Sequence, residues 1–273
     1  MKLTDYTFVK DFIAFAEAGW QMGWHERNGG NLSYRVPAED IEACKDLLDT
    51  ARPFTPIGTA VPALGGQYFL VTGSGKYMSN VLKNPEDTCA LIELDGAGEN
   101  YRIVWGLANG GRPTSELPTH LMNHEVKMLA TGGAHRVIYH CHPANIIAMT
   151  FILPLEDAEF SRELWEMMTE CPIIFPAGIG VIPWMVPGGR EIAVVTSEKM
   201  KKYDAAVWAH HGLFCSGTDF DSTFGLAHTI EKSAEIYIKV HSVVPAKRQT
   251  ITKADFIQLA KDFGVALTEE FLK

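Results

Sequence analysis

Paired cysteines are missing from this sequence. The chain has 273 residues and an odd number of cysteines with no CxxC pair among them: Cys44, Cys89, Cys141, Cys171 and Cys215. In a chain of this size the pattern is typical of reduced thiols, not of a disulfide framework. It also excludes a structural zinc site built from four sulfur-rich ligands.

Long hydrophobic runs are also missing. No stretch approaches the ~18 consecutive apolar residues of a membrane-spanning helix. The N-terminal segment carries Asp5, Lys10, Asp11 and Glu17, so it lacks the uninterrupted apolar core of a signal peptide. We therefore expect a cytoplasmic protein with no membrane partner.

Positive charge is scarce. The chain has 24 lysines and arginines against 33 aspartates and glutamates, which gives a formal net charge of -9. That balance argues against an extended nucleic-acid surface. A local cradle of backbone N–H groups can still hold a phosphate inside a negative protein, so single anionic ligands stay possible.

Several common catalytic signatures are absent. The sequence has no GxSxG nucleophile elbow and neither the Walker nor the GxGxxG spacing. Its apolar, strand-like segments contain no lysine that burial could keep neutral for a Schiff base. A Ser-His-Asp hydrolase and a lysine-based enzyme are therefore disfavoured.

What the sequence contains is an irregular alternation of helical and extended patterns, which we interpret as one domain over residues 1–273. Apolar residues at helical spacing predict helices around 4–24, 156–168 and 219–241, and from Thr252 to about Phe263. Alternating residues in "NLSYRV" predict a strand, and two strands joined across "DGAGEN" predict a hairpin. "CPIIFPAGIGVIP" and "DAAVWAHHGLF" are expected to be extended. Thr114 and Ser115, in "PTSELPTH", are predicted to cap the helix that begins there. These elements indicate an α/β fold with a mixed or antiparallel sheet covered by helices.

The stretch "RVIYHCHPAN" combines an apolar strand with two histidines. Side chains two apart in a strand share a face, so His140 and His142 present their imidazoles side by side while Cys141 points the other way. The ordinary interpretation of a single histidine would be a core residue hydrogen-bonded to backbone. Two on one face at a strand end favour a metal that prefers nitrogen ligands, such as Zn²⁺.

A second strand-like segment, "AVWAHHGLF", could supply a third ligand. His210 and His211 would lie on opposite faces, so at most one can join the pair. Periodicity does not choose between them, although Gly212 after His211 would leave room for a metal or substrate. Three histidines with one open position is the ligand plan of catalytic zinc sites.

Other polar residues are ambiguous by themselves. Glu116 stands where a helix begins, which is also where ordinary helix charges occur. Glu170 stands at the end of a predicted helix, as many solvated carboxylates do. "GGN" and "TGSGK" are glycine-rich turns of the kind that can wrap a phosphate with backbone N–H groups, yet a plain turn is the default interpretation.

Five motifs in order, "RNGGNLS", "VTGSGKY", "PTSELPTH", "YHCHPAN" and "HHG", resemble the class II, zinc-dependent sugar-phosphate aldolase family, and the similarity extends over nearly the whole chain. The resemblance implies a three-layer α/β/α fold with a largely antiparallel central sheet. It also implies one zinc ion per subunit, a homotetramer, a small sugar phosphate as substrate and retro-aldol cleavage.

The resemblance also implies roles for individual residues. His140, His142 and His211 match the zinc ligands, and Glu116 matches a glutamate that can bind the resting metal and act as the catalytic base. Glu170 matches a second acidic residue that acts on the aldehyde half of the substrate. The residues that match the phosphate-binding loops are Asn28, Gly30, Asn31, Ser74, Gly75, Thr114 and Ser115. His210 has no matching role.

Three alternatives stay open at this point. A related aldolase or 4-epimerase, acting on fuculose 1-phosphate or ribulose 5-phosphate, or a dehydratase, could use the same metal and phosphate loops. A non-catalytic assembly protein, like the cytoskeletal relatives of the family, need not keep the zinc ligands. A non-haem iron oxygenase could use two histidines and Glu116 but leaves the third histidine unexplained.

Overall fold

The computed structural model describes residues 1–272, and Lys273, the last residue of the predicted domain, lies outside the described residues. Over residues 1–272 the strands are β1 (Asn31–Arg35), β2 (Thr55–Pro56), β3 (Tyr68–Thr72), β4 (Cys89–Leu94), β5 (Asn100–Gly106), β6 (Val137–Cys141), β7 (Gly180–Ile182), β8 (Ala205–Trp208) and β9 (Gly212–Gly217). They form one sheet in the order β2-β5-β4-β3-β1-β6-β9-β8-β7. Every neighbouring pair is antiparallel except β7 and β8, which run parallel.

The helices are α1 (Thr7–Gln21), α2 (Ala38–Cys44), α3 (Pro85–Thr88), α4 (Leu117–Ala130), α5 (Ala144–Met149), α6 (Asp157–Met167), α7 (Cys171–Ile174), α8 (Arg190–Met200), α9 (Phe220–His241) and α10 (Lys253–Phe263). The predicted helices at 4–24, 156–168, 219–241 and 252–263 correspond to α1, α6, α9 and α10 and are confirmed, as is the β4–β5 hairpin. None of the helices in the described chain is long and apolar enough to cross a membrane.

Helices cover both faces of the sheet. On one face, alternate residues of β6 such as Tyr139 pack in a large apolar cluster with Phe12 and Phe15 of α1 and with α9. On the other face, Ile138 packs with α8, and Leu121 of α4 packs in a separate cluster over β3 and β4. The predicted three-layer α/β/α architecture with a largely antiparallel sheet is confirmed. All five cysteines are free, in agreement with the prediction of reduced thiols, and all five are buried.

Three local predictions were wrong. The segment "CPIIF" is not extended: Cys171–Ile174 form α7, with Pro172 in its first turn. A short apolar run fits a buried helical turn as well as a strand, and proline is favoured at the start of a helix. "DAAVWAHHGLF" is two strands, β8 and β9, joined by a tight turn that contains both histidines. The N-cap of α4 is Glu116 and not Thr114 or Ser115. The Thr114 hydroxyl, two residues before the N-cap, accepts a hydrogen bond from the Glu116 N–H at 3.2 Å.

Candidate metal centre and active site

Three histidines converge where the strands β6, β8 and β9 end or begin. His140 is on β6, His142 follows that strand, and His211 lies in the β8–β9 turn. One ligand atom from each lies within 4.8 Å of the other two. The alternation along β6 puts Tyr139 and Cys141 into the apolar cluster on the opposite face, which leaves His140 facing the other way.

Hydrogen bonds outside the group determine which nitrogens face inward. The Nδ1–H of His140 donates to the Leu213 carbonyl at 3.1 Å, and the Nδ1–H of His142 donates to Glu26 Oε1 at 2.7 Å. Because a carbonyl and an ionised carboxylate only accept, each ring keeps its proton on Nδ1. In the neutral form of both rings, the bare Nε2 atoms of His140 and His142 lie 3.2 Å apart. Two lone pairs at that distance repel each other, so this donor set fits a cation between them.

Two of the three imidazoles, those of His140 and His211, are neutral near neutral pH. Burial, and then the neighbouring His142 and His211, hold the pKa of His140 well below its usual value. Burial, followed by His142, lowers the pKa of His211 to about 4. Neutral imidazole is the form that binds a metal ion, so His140 and His211 need lose no proton before they bind one near neutral pH.

Glycine at position 212 makes room for this group. A Cβ on Gly212 would lie 2.5 Å from the Cys141 carbonyl oxygen, 2.8 Å from Cδ2 of His142 and 2.9 Å from Cε1 of His140. Real Cβ atoms essentially never approach that closely, so a larger residue would push the rings apart. The close approach of backbone to the two rings therefore requires glycine.

The β8–β9 turn separates the histidine doublet. His210 has a left-handed backbone, with φ at 61°, so the chain reverses there and the two rings do not share a face. The Nδ1 atom of His210 lies 3.0 Å from Thr150 Oγ1, and its ring packs on Phe151 with centroids 4.1 Å apart. His211 is the member of the doublet that joins His140 and His142.

Glu116 lies beside the histidine group at the N-terminus of α4. Its Oε2 atom is 3.8 Å from Nε2 of His140 and accepts a hydrogen bond from Nδ2 of Asn31 at 3.0 Å. Burial raises the pKa of the carboxyl group, while the bond from Asn31 acts in the opposite direction. A carboxylate in this position can serve as a fourth ligand or exchange a proton with a bound molecule.

The predicted phosphate loops gather at the same end of the sheet. Asn31 pairs with His140 across β1 and β6, and Gly30, with φ at 72°, could not carry a Cβ because it would lie 2.7 Å from the His140 carbonyl oxygen. Gly73 forms a β-bridge with Pro113, and the Ser74 N–H donates to the Arg112 carbonyl. These contacts put Ser74 and Gly75 beside Thr114 and Ser115. Asn28, Ser74, Gly75 and Ser115 are exposed.

Several backbone donors in these loops are free. The N–H groups of Gly75 and Ser115 have no acceptor among residues 1–272. Free N–H groups in glycine-containing turns form concave sites for anions. Lys76 of "TGSGK" is held elsewhere, by an ion pair to Asp87 at 2.8 Å. The loops therefore offer backbone N–H groups and hydroxyls to an anion, without a lysine.

Glu170 is not brought into this group. It is the exposed N-cap of α7, and within the described chain it makes no hydrogen bond or ion pair with His140, His142, His211 or Glu116.

Sequence reasoning missed several residues that hold the site. Glu26 orients His142 from 116 positions away, and no local pattern marks it. His25 accepts from the Tyr139 hydroxyl at 2.7 Å and donates to the Gly29 carbonyl at 3.0 Å, which braces the loop before β1. His120 contacts Asn31. Its spacing of four from His124 was the one available signal, because that spacing places two histidines on one face of α4.

Known proteins with similar sequences belong to the family that the sequence motifs resemble. A family model described as "Class II Aldolase and Adducin N-terminal domain" matches residues 10–238. The rhamnulose-1-phosphate aldolase of Mannheimia succiniciproducens is 48% identical over 258 residues, which cover 94% of each chain. The protein of the same name from Pectobacterium atrosepticum is 45% identical, with 97% of each chain covered.

Solved structures show the same fold. A sugar-phosphate aldolase from Thermotoga maritima superposes with a TM-score of 0.72 at 27% identity, covering 86% of this chain and 95% of that one. An L-fuculose 1-phosphate aldolase superposes with a TM-score of 0.61 at 17% identity, covering 94% and 96%.

Proposed function

The chain belongs to the class II aldolase and adducin N-terminal domain family, and we propose that it cleaves L-rhamnulose 1-phosphate reversibly to dihydroxyacetone phosphate and L-lactaldehyde. Relatives named for that substrate match almost its full length at 45–48% identity. The observation that carries the proposal is the convergence of His140, His142 and His211 beside Glu116. A non-catalytic assembly protein would have no need of that arrangement.

The three histidines are proposed to hold one zinc ion per subunit. The inward-facing Nε2 atoms of His140 and His142 and a ring nitrogen of His211 supply the ligands, and Glu116 stands close enough to complete the resting site. When bound, zinc supplies Lewis-acid stabilisation for the negative charge left on the ketone half as the C3–C4 bond breaks. An iron oxygenase would use two of the histidines and leave the third without a function.

Glu116 is the proposed base. In the synthetic direction its carboxylate takes a proton from C3 of dihydroxyacetone phosphate, and in cleavage it returns one. Burial raises the pKa of this carboxyl group, which moves it toward the pH at which the enzyme operates and makes proton exchange in both directions easier.

The loops at Asn28–Asn31, Ser74–Gly75 and Thr114–Ser115 are proposed to hold the substrate phosphate. The free N–H groups of Gly75 and Ser115 suit a phosphate oxygen. Binding energy from this non-reacting end keeps the reacting carbons next to Glu116.

Glu170 is proposed to act on the aldehyde half from a neighbouring subunit of a homotetramer. Glu170 is exposed and, within the described chain, makes no hydrogen bond or ion pair with the histidine group, which motivates this assignment. Large apolar side chains are exposed, including Phe151 at 72%, Trp184 at 62% and Val186 at 69%. Of these side chains, Phe151 packs on His210, the residue that precedes His211 in the chain. Five free, buried cysteines fit a reducing compartment, and we propose a cytoplasmic location.

A coupled assay for dihydroxyacetone phosphate release tests the reaction. Rhamnulose 1-phosphate should release it, with fuculose 1-phosphate and ribulose 5-phosphate as controls. A 4-epimerase cuts the same kind of bond but retains the aldehyde and joins the two halves again, so it would release no free dihydroxyacetone phosphate. Chelation should abolish activity and zinc should restore it; activity that survives complete metal removal would disprove the proposed chemistry. Light scattering should give four 30.2 kDa chains.

A further inference from the structure

A line of hydrogen bonds leads from the interior of the protein to the Glu116 carboxylate. Asn31 donates from Nδ2 to Glu116 Oε2 at 3.0 Å, and its Oδ1 atom contacts Nε2 of His120. The Ser33 hydroxyl oxygen lies 2.6 Å from Nδ1 of His120 and 2.8 Å from Nε2 of His124.

The protons along this line can be assigned from one end. An ionised carboxylate only accepts, so Asn31 turns its amide N–H toward Glu116 and its oxygen toward His120. That oxygen requires a donor, so His120 carries its proton on Nε2 and accepts from the Ser33 hydroxyl on Nδ1. The Ser33 oxygen in turn accepts from the Nε2–H of His124. Each donor therefore points toward Glu116, an arrangement in which the bonds strengthen one another.

These groups are isolated from water. Ser33 and His120 are 0% exposed, and His124, Asn31 and Glu116 are 1%, 7% and 8% exposed. Burial lowers the pKa of His120 to about 3 and that of His124 well below its usual value, so both rings are neutral. In such a place water cannot replace a lost partner, and a donor or acceptor left alone is costly.

The two elements that carry these residues are built to meet. Asn31 and Ser33 are two apart on β1 and share the face that α4 covers. His120 and His124 are four apart on α4 and share the face of that helix that meets the strand. The arrangement spans 89 positions of sequence between Asn31 and His120.

We propose that His120, Ser33 and His124 form a positioning relay that fixes the Asn31 amide and, through it, holds Glu116 in one orientation beside His140. None of the three is assigned a contact with substrate, so they are positioning residues, and their effect on catalysis rests on the function proposed above. Without the His120 donor, the Asn31 amide is free to rotate by half a turn. Its oxygen would then face the carboxylate and repel it.

The test compares two substitutions at one position. His120→Leu removes the donor to Asn31, and we expect kcat to fall ~10²-fold, the scale of a misplaced catalytic group. We expect zinc affinity, measured by competition with a chelator, to fall ~10-fold, as for other residues that support metal ligands. His120→Gln keeps an amide N–H that can reach Asn31 and should recover part of both losses. Ser33→Ala, a small change with little risk to folding, should lower kcat less than His120→Leu does.

His135→Leu is the matched control. It also breaks a histidine–serine hydrogen bond, from His135 to Ser216 at 3.0 Å, but at the opposite end of β6 and β9. Its kcat and zinc affinity should stay at the wild-type values, with thermal unfolding recorded for every variant. The relay is disproved if His120→Leu keeps wild-type kcat and zinc affinity. It is equally disproved if all variants, including the control, lose both in proportion to their loss of stability.

The two proposals can fail separately. If the wild-type protein cleaves no rhamnulose 1-phosphate, the proposed substrate is wrong. The zinc-affinity comparison of His120→Leu, His120→Gln and His135→Leu still decides whether the relay positions Glu116.

Discussion

The Nε2 atoms of His140 and His142 lie 3.2 Å apart, and each ring gives its N–H to an acceptor on its far side. Leu213 and Glu26 thus aim two lone pairs at one point, which is the condition for binding a cation rather than for hydrogen bonding between the rings.

The histidine doublet offers a direct test of the third ligand. We expect His211→Ala to lower the zinc content well below one per chain, because two histidines and Glu116 remain. His210→Ala should keep full zinc content, since its ring is bonded to Thr150 and lies outside the group. Metal analysis of the purified variants measures both. A zinc-replete His211→Ala protein together with a zinc-poor His210→Ala protein would reverse the assignment.

Replacing Glu116 with glutamine separates binding from proton transfer. The amide keeps the shape of the side chain but cannot take a proton. Glu116→Gln should therefore still bind zinc through the three histidines, with an affinity up to ~10-fold lower because Glu116 no longer supports the site. It should also still bind dihydroxyacetone phosphate, while kcat falls 10²–10⁴-fold, roughly the usual contribution of general acid–base catalysis. Steady-state kinetics and calorimetric binding provide the measurement. Undiminished turnover would remove Glu116 from the role of base.

Glu26 should tune metal affinity without touching the metal. Its carboxylate holds the Nδ1–H of His142 at 2.7 Å. Glu26→Ala should weaken zinc binding ~10–100-fold, as for other residues that orient metal-binding histidines. Glu26→Gln keeps an acceptor oxygen and should lose less. Chelator competition distinguishes them, and equal zinc affinity in the alanine variant and the wild type would show that His142 needs no such support.

The metal-free protein should lose stability as the pH falls below 6.5, the usual pKa of histidine. Burial lowers the pKa of His25 to about 4 and that of His120 to about 3, from a usual value of 6.5. Below pH 6.5 the unfolded chain binds protons at both rings and the folded protein does not. The contribution of these two neutral rings to the free energy of unfolding is therefore fully present above pH 6.5, and it is lost as the pH falls toward their pKa values in the folded protein.

Each of these two histidines should lower the free energy of unfolding by ~1.4 kcal/mol per pH unit in that window. Urea unfolding with a chelator present, at roughly pH 7, 6 and 5, gives the slope. His120→Gln should have a shallower slope than the wild type because it removes one titrating ring. A free energy of unfolding that does not change between those pH values would contradict the assignment of buried neutral histidines.

Much of the fold could be predicted from local patterns. The helices α1, α6, α9 and α10 and the β4–β5 hairpin follow from periodicities that hold wherever a segment sits. The α7 helix could not be predicted in this way, because a run as short as "CPII" has no period to measure. It folds as a helical turn among residues contributed by α9 and α10, which lie far along the chain.

The site divides along similar lines. The shared direction of His140 and His142 follows from the two-residue repeat of a strand. The choice of His211 depends on a positive φ at His210, and the sequence does not reveal the sign of that angle. The metal and phosphate roles of these residues remain predictions for the experiments above.

The sequence by itself determined the helices α1, α6, α9 and α10, the β4–β5 hairpin and the side-by-side histidines, because each depends on the geometry of nearby residues in the chain. Tertiary structure alone decided that Glu26 supports His142, that His120 reaches Asn31 and that Glu170, within the described chain, makes no hydrogen bond or ion pair with the histidines. Those relationships join residues 89 or more positions apart, or separate residues that a motif had grouped. Only the packing of α4 on β1 and the order of strands in the sheet set such distances.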